Sequence, residues 1–449
     1  MTAKPTEQFE GSLTAEAGNY KTYNLEGYVS GGLGDRVQGR AAFRSETSDK
    51  GWQVSNSRGE RLGKVRRDGW RLSLAMQPTD TVEVEASYSG WLNKSDTVAA
   101  QGIGFTPATA ASPFNAPGIV SYIAANKPTK AGQADWAPLS TRGADIGVGL
   151  GIKDPLREDD QFHAGKLKIS WDVADKVRLV SLTSFNRLER KAVFDWSGAP
   201  YEVLIQKAHG DIKSFAEELH LEGVTDKGSW LVGGYIARDK IYDSNRTLLG
   251  QNANVGTIRY VGSTLLATPF NSFGYTALQM SQAFRTYEDV GNIETKTWSL
   301  ARQPGPDLHR LGHPAAYGSE GLHRINAAGQ SQSFDGRPFL YSPKFQGGLT
   351  ALFKQPVGDG LELNAALNGR WQDKSYADLE GNPLFVIDGY GMLNASVGIG
   401  APDKGWDLSI WGRNITNAYY WSAVSSNANV VVRFPGKPTT YGASLTWKF

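Results

Sequence analysis

A chain of 449 residues with 47 Lys and Arg against 45 Asp and Glu carries a net charge of only +2, which argues against a dedicated nucleic-acid binder. It has no cysteine, which excludes disulfide and thiolate chemistry, and no run of 18 apolar residues, which excludes a membrane-spanning helix. Its 52 glycines, 13 Trp and 18 Tyr, with a mean hydropathy of −0.39, describe a β-rich chain. That leaves two or three soluble domains, or one large barrel whose membrane affinity is hidden because only alternate strand residues are apolar.

In chain order, Met1 to Phe9 has no basic segment followed by an apolar core, so it does not read as a secretory signal. Residues 20–30 alternate, with Tyr23, Leu25 and Val29 against Thr22, Asn24 and Glu26, and a glycine-rich turn at 31–35 leads to a strand at 36–44. After a polar connection at 45–66, Trp70, Leu72, Leu74 and Met76 alternate with polar neighbours, and Pro78 to Asp80 turns the chain into Val82, Val84, Ala86 and Tyr88. A long connection, 93–160, precedes a strand presenting Leu167, Ile169 and Trp171 opposite Lys166, Lys168 and Ser170. Asp172 to Asp175 turns it into 177–189. A loop at 190–210, strands at 211–222 and 229–239, and a loop at 241–275 follow.

Near the end, strands at 344–354 and 361–371 flank Gly358 to Gly360, and strands at 389–399 and 406–415 flank Pro402 to Gly405. Short Asp/Gly turns thus alternate with long loops. An up-and-down barrel sorts its connections this way between two rims, and a soluble all-β protein has no physical reason to do so. On these registers Glu83, Glu85, Lys166, Lys168, Glu218, Glu222, Glu362, Arg370 and Lys448 face a lumen, while Trp91, Trp171, Trp230, Trp371, Trp406 and Trp447 suit an interfacial girdle.

Residues 291–342 break the pattern and read as an irregular segment between an amino-terminal part, 1–290, and carboxy-terminal strands, 343–449. The expected class is all-β: an antiparallel up-and-down transmembrane barrel, incomplete, with about fifteen or sixteen readable strands against the 22 of plugged transporters. A chain lacking strands must close smaller, pair with a second copy or fail to assemble, because an open edge is not viable in lipid.

Catalytic chemistry is hard to find. His309 and His313, with His323 beyond, have chelating spacing only on a helix, which Pro304, Pro306 and Pro314 interrupt, so no metal site is assigned. Glu217 and Glu218 fall on opposite strand faces and cannot act together. No nucleophile elbow, phosphate loop or zinc-protease motif is present, and no enzyme activity or cofactor is expected.

The last strand, 440–449, places Tyr441, Leu445, Trp447 and Phe449 on its apolar face. With Gly412 to Asn417 (GRNITN), Phe434 to Pro438 (FPGKP) and the terminal Phe449, this end resembles TonB-dependent outer-membrane receptors. The resemblance implies that Tyr441, Leu445, Trp447 and Phe449 serve barrel closure and assembly. Lys4 to Thr6, followed by Phe9 to Ser12, looks like that family's junction between plug domain and first barrel strand, so the plug is expected to be missing and Met1 to lie within a longer gene or to be an added start.

What the resemblance further implies is energised uptake of a bulky ligand such as a ferric siderophore. The expected partners are outer-membrane lipid, the barrel-assembly machinery, and the TonB complex only through the missing plug; nucleic acid is not expected. The ligand surface would be the long loops 93–160, 190–210, 241–275 and 417–436, with no residue assigned. A passive porin and a soluble carbohydrate-binding β-protein are the other classes.

Overall fold

The computed structural model describes residues 3–106, 117–142, 152–201, 203–226, 228–249, 259–261, 264–266, 286–304, 323–325, 331–333, 337–427 and 430–449. Fifteen strands form one antiparallel sheet. They are β1 (Glu10–Gly18), β2 (Thr22–Gly34), β3 (Val37–Ser48), β4 (Val65–Thr79), β5 (Val82–Asn93), β6 (Asp160–Ala174), β7 (Val177–Asp195) and β8 (Leu204–Thr225). The rest are β9 (Gly228–Leu249), β10 (Thr286–Pro304), β11 (Gln346–Pro356), β12 (Glu362–Gln372), β13 (Tyr390–Ala401), β14 (Trp406–Arg413) and β15 (Thr440–Lys448). Each pairs with its chain neighbour except across β10 and β11, and β15 closes back on β1, Ser12 opposite Lys448 and Gly18 opposite Gly442.

The registers keep one face apolar around the sheet. Leu13, Leu25, Phe43, Leu72, Tyr88, Leu167, Phe185, Leu219, Leu408 and Leu445 lie on it and are exposed. Every charged residue assigned above to the lumen lies on the opposite face. On that face the segment before β1 folds against β2, Gly32 N donating to the Glu7 carbonyl at 3.0 Å, and carries Lys4 to Glu85 on β5 at 2.5 Å. Trp171, Trp230, Trp371, Trp406 and Trp447 face outward, in girdle positions. Trp91 does not: it pairs with Phe162 on the inward face, an odd number of residues from the outward Tyr88.

With the Gly18 end of β1 called the upper rim, the connections 35–36, 80–81, 175–176, 226–227, 357–361 and 402–405 lie at the lower rim. The connections 49–64 and 373–389, and the described parts of 94–159, 196–203 and 414–439, lie at the upper one, where β9 ends and β10 begins. Gly405 shows why the lower turns are tight. Its φ is 71°, and a Cβ there would sit 2.1 Å from the Lys448 carbonyl oxygen.

Three expectations need correction. The loop placed at 190–210 is only 196–203, and β9 runs on to Leu249, because hydrogen-bonded pairing continues above the point where ionic residues such as Arg187, Glu189 and Lys213 erase the apolar alternation. The segment placed at 291–342 begins with regular strand: β10 extends through Pro304 for the same reason, Glu294 and Lys296 lying on its outward face. Residues 305–322 lie outside the described residues, and so do His309 and His313; His323 lies in a short strand, His323–Ile325.

Parity decides how the sheet ends. β10 and β11 each have a single neighbour among the described residues, and residues 290–299 are exposed on both faces. Both strands run from the upper rim to the lower, so they cannot be antiparallel neighbours. A closed antiparallel ring needs an even number of strands, so the fifteen described here do not by themselves close one.

Candidate functional site

The buried core of the described residues lies mostly above the sheet, in its upper connections. Gln101–Phe105, Trp421–Asn427 and Val430–Pro435 form a three-stranded sheet, and Gln53–Ser55 pairs with both Arg61–Leu62 and Gln133–Ala134. Ile119, Ile123, Val203, Val430 and Val432 make one apolar cluster; Ile387, Val424 and Val431 make a second. A third joins Trp136 and Ile152 to Val193 and Ile205. Five connections, far apart in the chain, are thereby locked into one cap.

Buried polar groups fix the cap's register. Asp135 accepts from Ser55 Oγ (2.6 Å), Ser57 N (3.1 Å) and Tyr122 OH (2.6 Å). Burial, and then the Asp135 carboxylate, pushes the Tyr122 phenol well above its usual range. Gln53 exchanges two bonds with the Ala99 backbone, at 2.8 and 2.9 Å. The Arg433 guanidinium stacks over Trp421 (4.3 Å) and Tyr419 (4.8 Å) and donates to the Pro128 carbonyl (2.9 Å). Sequence reasoning named none of these residues. The one available signal was the β-branched run Val430, Val431, Val432 inside a segment read as loop.

Beneath the cap, the upper inward wall is cationic and aromatic. Arg370 on β12 lies 3.5 Å from the hydroxyl of Tyr390 on β13, and the Tyr390 ring stacks on Tyr420 at 4.5 Å and 22°. Burial first, then Tyr390, raises the Tyr420 phenol's pKa. Arg413 projects inward over Trp411 at 5.1 Å. Lys437 is held below the usual lysine range by burial, and then by the charges of Arg413 and Arg67. Stacked rings beside several unneutralised cations suit a flat, anionic ligand.

The run from Gly412 to Asn417 explains how this wall is held. Asn414 and Asn417 both adopt φ of 49°, the left-handed region that Asn tolerates. Buried Asn414 donates to the carbonyls of Ala418 (3.0 Å) and Lys437 (3.3 Å) and accepts from Ala418 N (2.9 Å); Thr439 Oγ1 donates to the Asn414 carbonyl at 2.7 Å. The two asparagines pin both ends of the 414–439 connection together. Arg413 and Lys437 come from those ends.

Of the four residues expected to serve closure, Tyr441, Leu445 and Trp447 project outward from β15 and are exposed. Phe449 exchanges backbone bonds with Gly11 (2.7 and 3.1 Å), and its ring lies 6.0 Å from Phe9 and 5.7 Å from Trp447. They sit on the seam between last and first strands, away from the cationic wall. Of the four loops expected to form the ligand surface, the described parts of 93–160, 190–210 and 417–436 meet in the cap; most of 241–275 lies outside the described residues. Among the described residues no group of three or more His, Asp or Glu could hold a metal ion.

No family model matches the chain, and neither does any curated protein. Solved structures do. The ferric yersiniabactin uptake receptor FyuA of Yersinia pestis is 11% identical with a TM-score of 0.61, over 100% of this chain and 81% of that one. The siderophore receptor PiuA of Acinetobacter baumannii is 11% identical with a TM-score of 0.62, over 100% and 82%. BauA, the ferric preacinetobactin receptor of the same organism, is 12% identical with a TM-score of 0.57, over 100% and 81%. At such identity the likeness establishes architecture: the chain has the fold of these ferric-siderophore receptors.

Proposed function

We propose that the chain forms the barrel of a TonB-dependent outer-membrane receptor that takes up a bulky, scarce ligand, with a ferric siderophore the leading candidate. The observation that carries this reading is the roofed upper lumen. Arg67, Arg370, Arg413 and Lys437 with the stacked Tyr390 and Tyr420 offer charge and flat surface to an anionic chelate, beneath a cap built from distant connections. The fold shared with ferric-siderophore receptors supports it. A wide barrel must be gated against leakage, so on this reading entry is driven through a plug domain by the TonB complex. Outer-membrane lipid surrounds the apolar face, and Tyr441, Leu445, Trp447 and Phe449 serve closure and delivery by the barrel-assembly machinery.

Radio-iron uptake tests it in iron-starved cells with and without the gene, across catecholate, hydroxamate and citrate chelates. One chelate class should enter only when the gene is present and the proton gradient intact. Uptake that ignores the gene, or a gene-dependent uptake that survives an uncoupler, would overturn the proposal; a steady large conductance in planar bilayers would favour a passive pore.

A further inference from the structure

The outward face of β7–β10 changes character along the strands. Towards the upper rim, Phe185 is followed two residues on by Arg187, Phe215 by Lys213, Ile236 by Arg238 and Trp298 by Lys296, all on the outward register. Arg238 and Lys296 lie level with Phe185 and Phe215, and Arg187, Lys213 and Lys240 one step of about 7 Å above, so the cations form two tiers at the top of the apolar surface. In the upper tier Lys240 lies beside Lys213. A shallow groove of about 410 Å³ crosses β8–β10 here, lined by His209, Asp211, Lys213, Lys240, Tyr242 and Glu294.

The carboxylates present order these tiers without neutralising them. Asp211 takes Arg187 at 2.8 Å and Lys213 at 3.8 Å, and Glu189 takes Lys191 at 2.5 Å and lies 3.7 Å from Arg187; Glu294 takes Arg238 at 2.7 Å and Lys296 at 3.8 Å. Lys240 makes no ion pair among the described residues, and Arg187 Nε is buried without a hydrogen-bond partner. The feature is local to these strands. On the other side of the barrel the outward face ends in Tyr23, Ser45, Trp371 and Tyr441.

Cations directly above an apolar band meet anionic headgroups where hydrocarbon gives way to water. An acidic soluble protein would fit the charge but not the continuity with Phe215, Ile236 and Trp298, which are exposed at and below the lower tier; the single carboxylate among them, Glu217 beside Ile236, is held by Ser181 Oγ at 2.7 Å and by Thr183. We propose that this groove binds the phosphate of an anionic lipid headgroup in the leaflet at the upper rim, with the acyl chains lying on Phe215, Ile236 and Trp298. The inference rests on the reading of the barrel as membrane-spanning.

Native mass spectrometry of the protein in a neutral maltoside detergent tests it, with bisphosphorylated lipid A, the same lipid after phosphatase treatment, and inorganic phosphate as probes. The phosphorylated lipid should bind at least about tenfold more tightly than the dephosphorylated one, and Lys213→Gln with Arg238→Gln and Lys240→Gln should remove that preference. Lys354→Gln, on an inward-facing site elsewhere, should leave it intact, and Lys240→Arg should retain it. If the triple variant does not fold, Lys240→Gln alone should weaken the preference. Equal binding of the two lipids, an unchanged preference in the glutamine variants, or displacement by inorganic phosphate at equal concentration would overturn the proposal. A protein that stays in the aqueous fraction without detergent would defeat the membrane reading itself; one that partitions into membranes without phosphate preference defeats only this inference.

Discussion

Gly436 sits where a Cβ would come within 2.0 Å of the Tyr420 ring, so the ring's stacking on Tyr390 depends on that missing atom. Gly436→Ala should therefore displace Tyr420 and destabilise the cap by about 1–3 kcal/mol, measurable as earlier proteolysis of the 414–439 connection with the barrel intact. Lys437 gives a pH prediction. Its folded pKa lies below the unfolded 10.5 because burial, then Arg413 and Arg67, disfavour the ammonium. The resulting penalty is fully present below the folded pKa and is relieved as pH rises through it towards 10.5. Lys437→Met should raise the cap's unfolding temperature by a few degrees at neutral pH. That gain should vanish at pH 11; a gain that persists there comes from packing alone. The run containing Arg413 and Asn414 was visible in the sequence. The lowered pKa of Lys437 was not, because it comes from burial in the folded connection and from the charges of Arg413 and of Arg67, which only the fold brings near.

Among the elements, the pairing of β1 with β15 is the one that joins the ends of the sheet. Gly11 and Phe449 exchange backbone bonds, so Thr14 and Thr446, three pairs along, form a non-hydrogen-bonded pair, and their hydroxyls lie 2.9 Å apart. Thr14→Cys with Thr446→Cys should form a disulfide on mild oxidation, read as a reduction-sensitive gel shift in a chain with no other thiol. Shifting the partner to Leu445→Cys should abolish it. The cap depends on Asp135 in a comparable way. Asp135→Ala strands Ser55, Ser57 and Tyr122 without their buried acceptor, and should cost the cap about 2–4 kcal/mol. Faster cleavage in 49–64 and 117–142, with unchanged heat-modifiable mobility of the barrel, is the expected result.

For the whole molecule, the strand order fixes which rim each described connection lies on. Phe345 lies at the upper rim and Asp359 at the lower, although fewer than fifteen residues separate them. On the proposed reading, with the upper rim outside the cell, a membrane-impermeant maleimide added to intact cells should label Phe345→Cys and leave Asp359→Cys unmodified until the membrane is opened; equal labelling would contradict that orientation. Alternation between strand faces, the short Asp/Gly turns and the near-correct strand count were readable directly, because side-chain period and turn geometry are local properties of the backbone. The sequence also determined which charges face inward, from Glu83 to Lys448, since a register slip of one residue would put them all in the apolar face. Only the tertiary structure decided that Gln101 would meet Tyr419 and Arg433 and that β7–β10 rise past the apolar band, whereas the inward turn of Trp91 follows from the same alternation as Tyr88. The first rests on contacts between segments hundreds of residues apart, and the second on hydrogen-bonded pairing that continues where hydrophobic periodicity has already stopped.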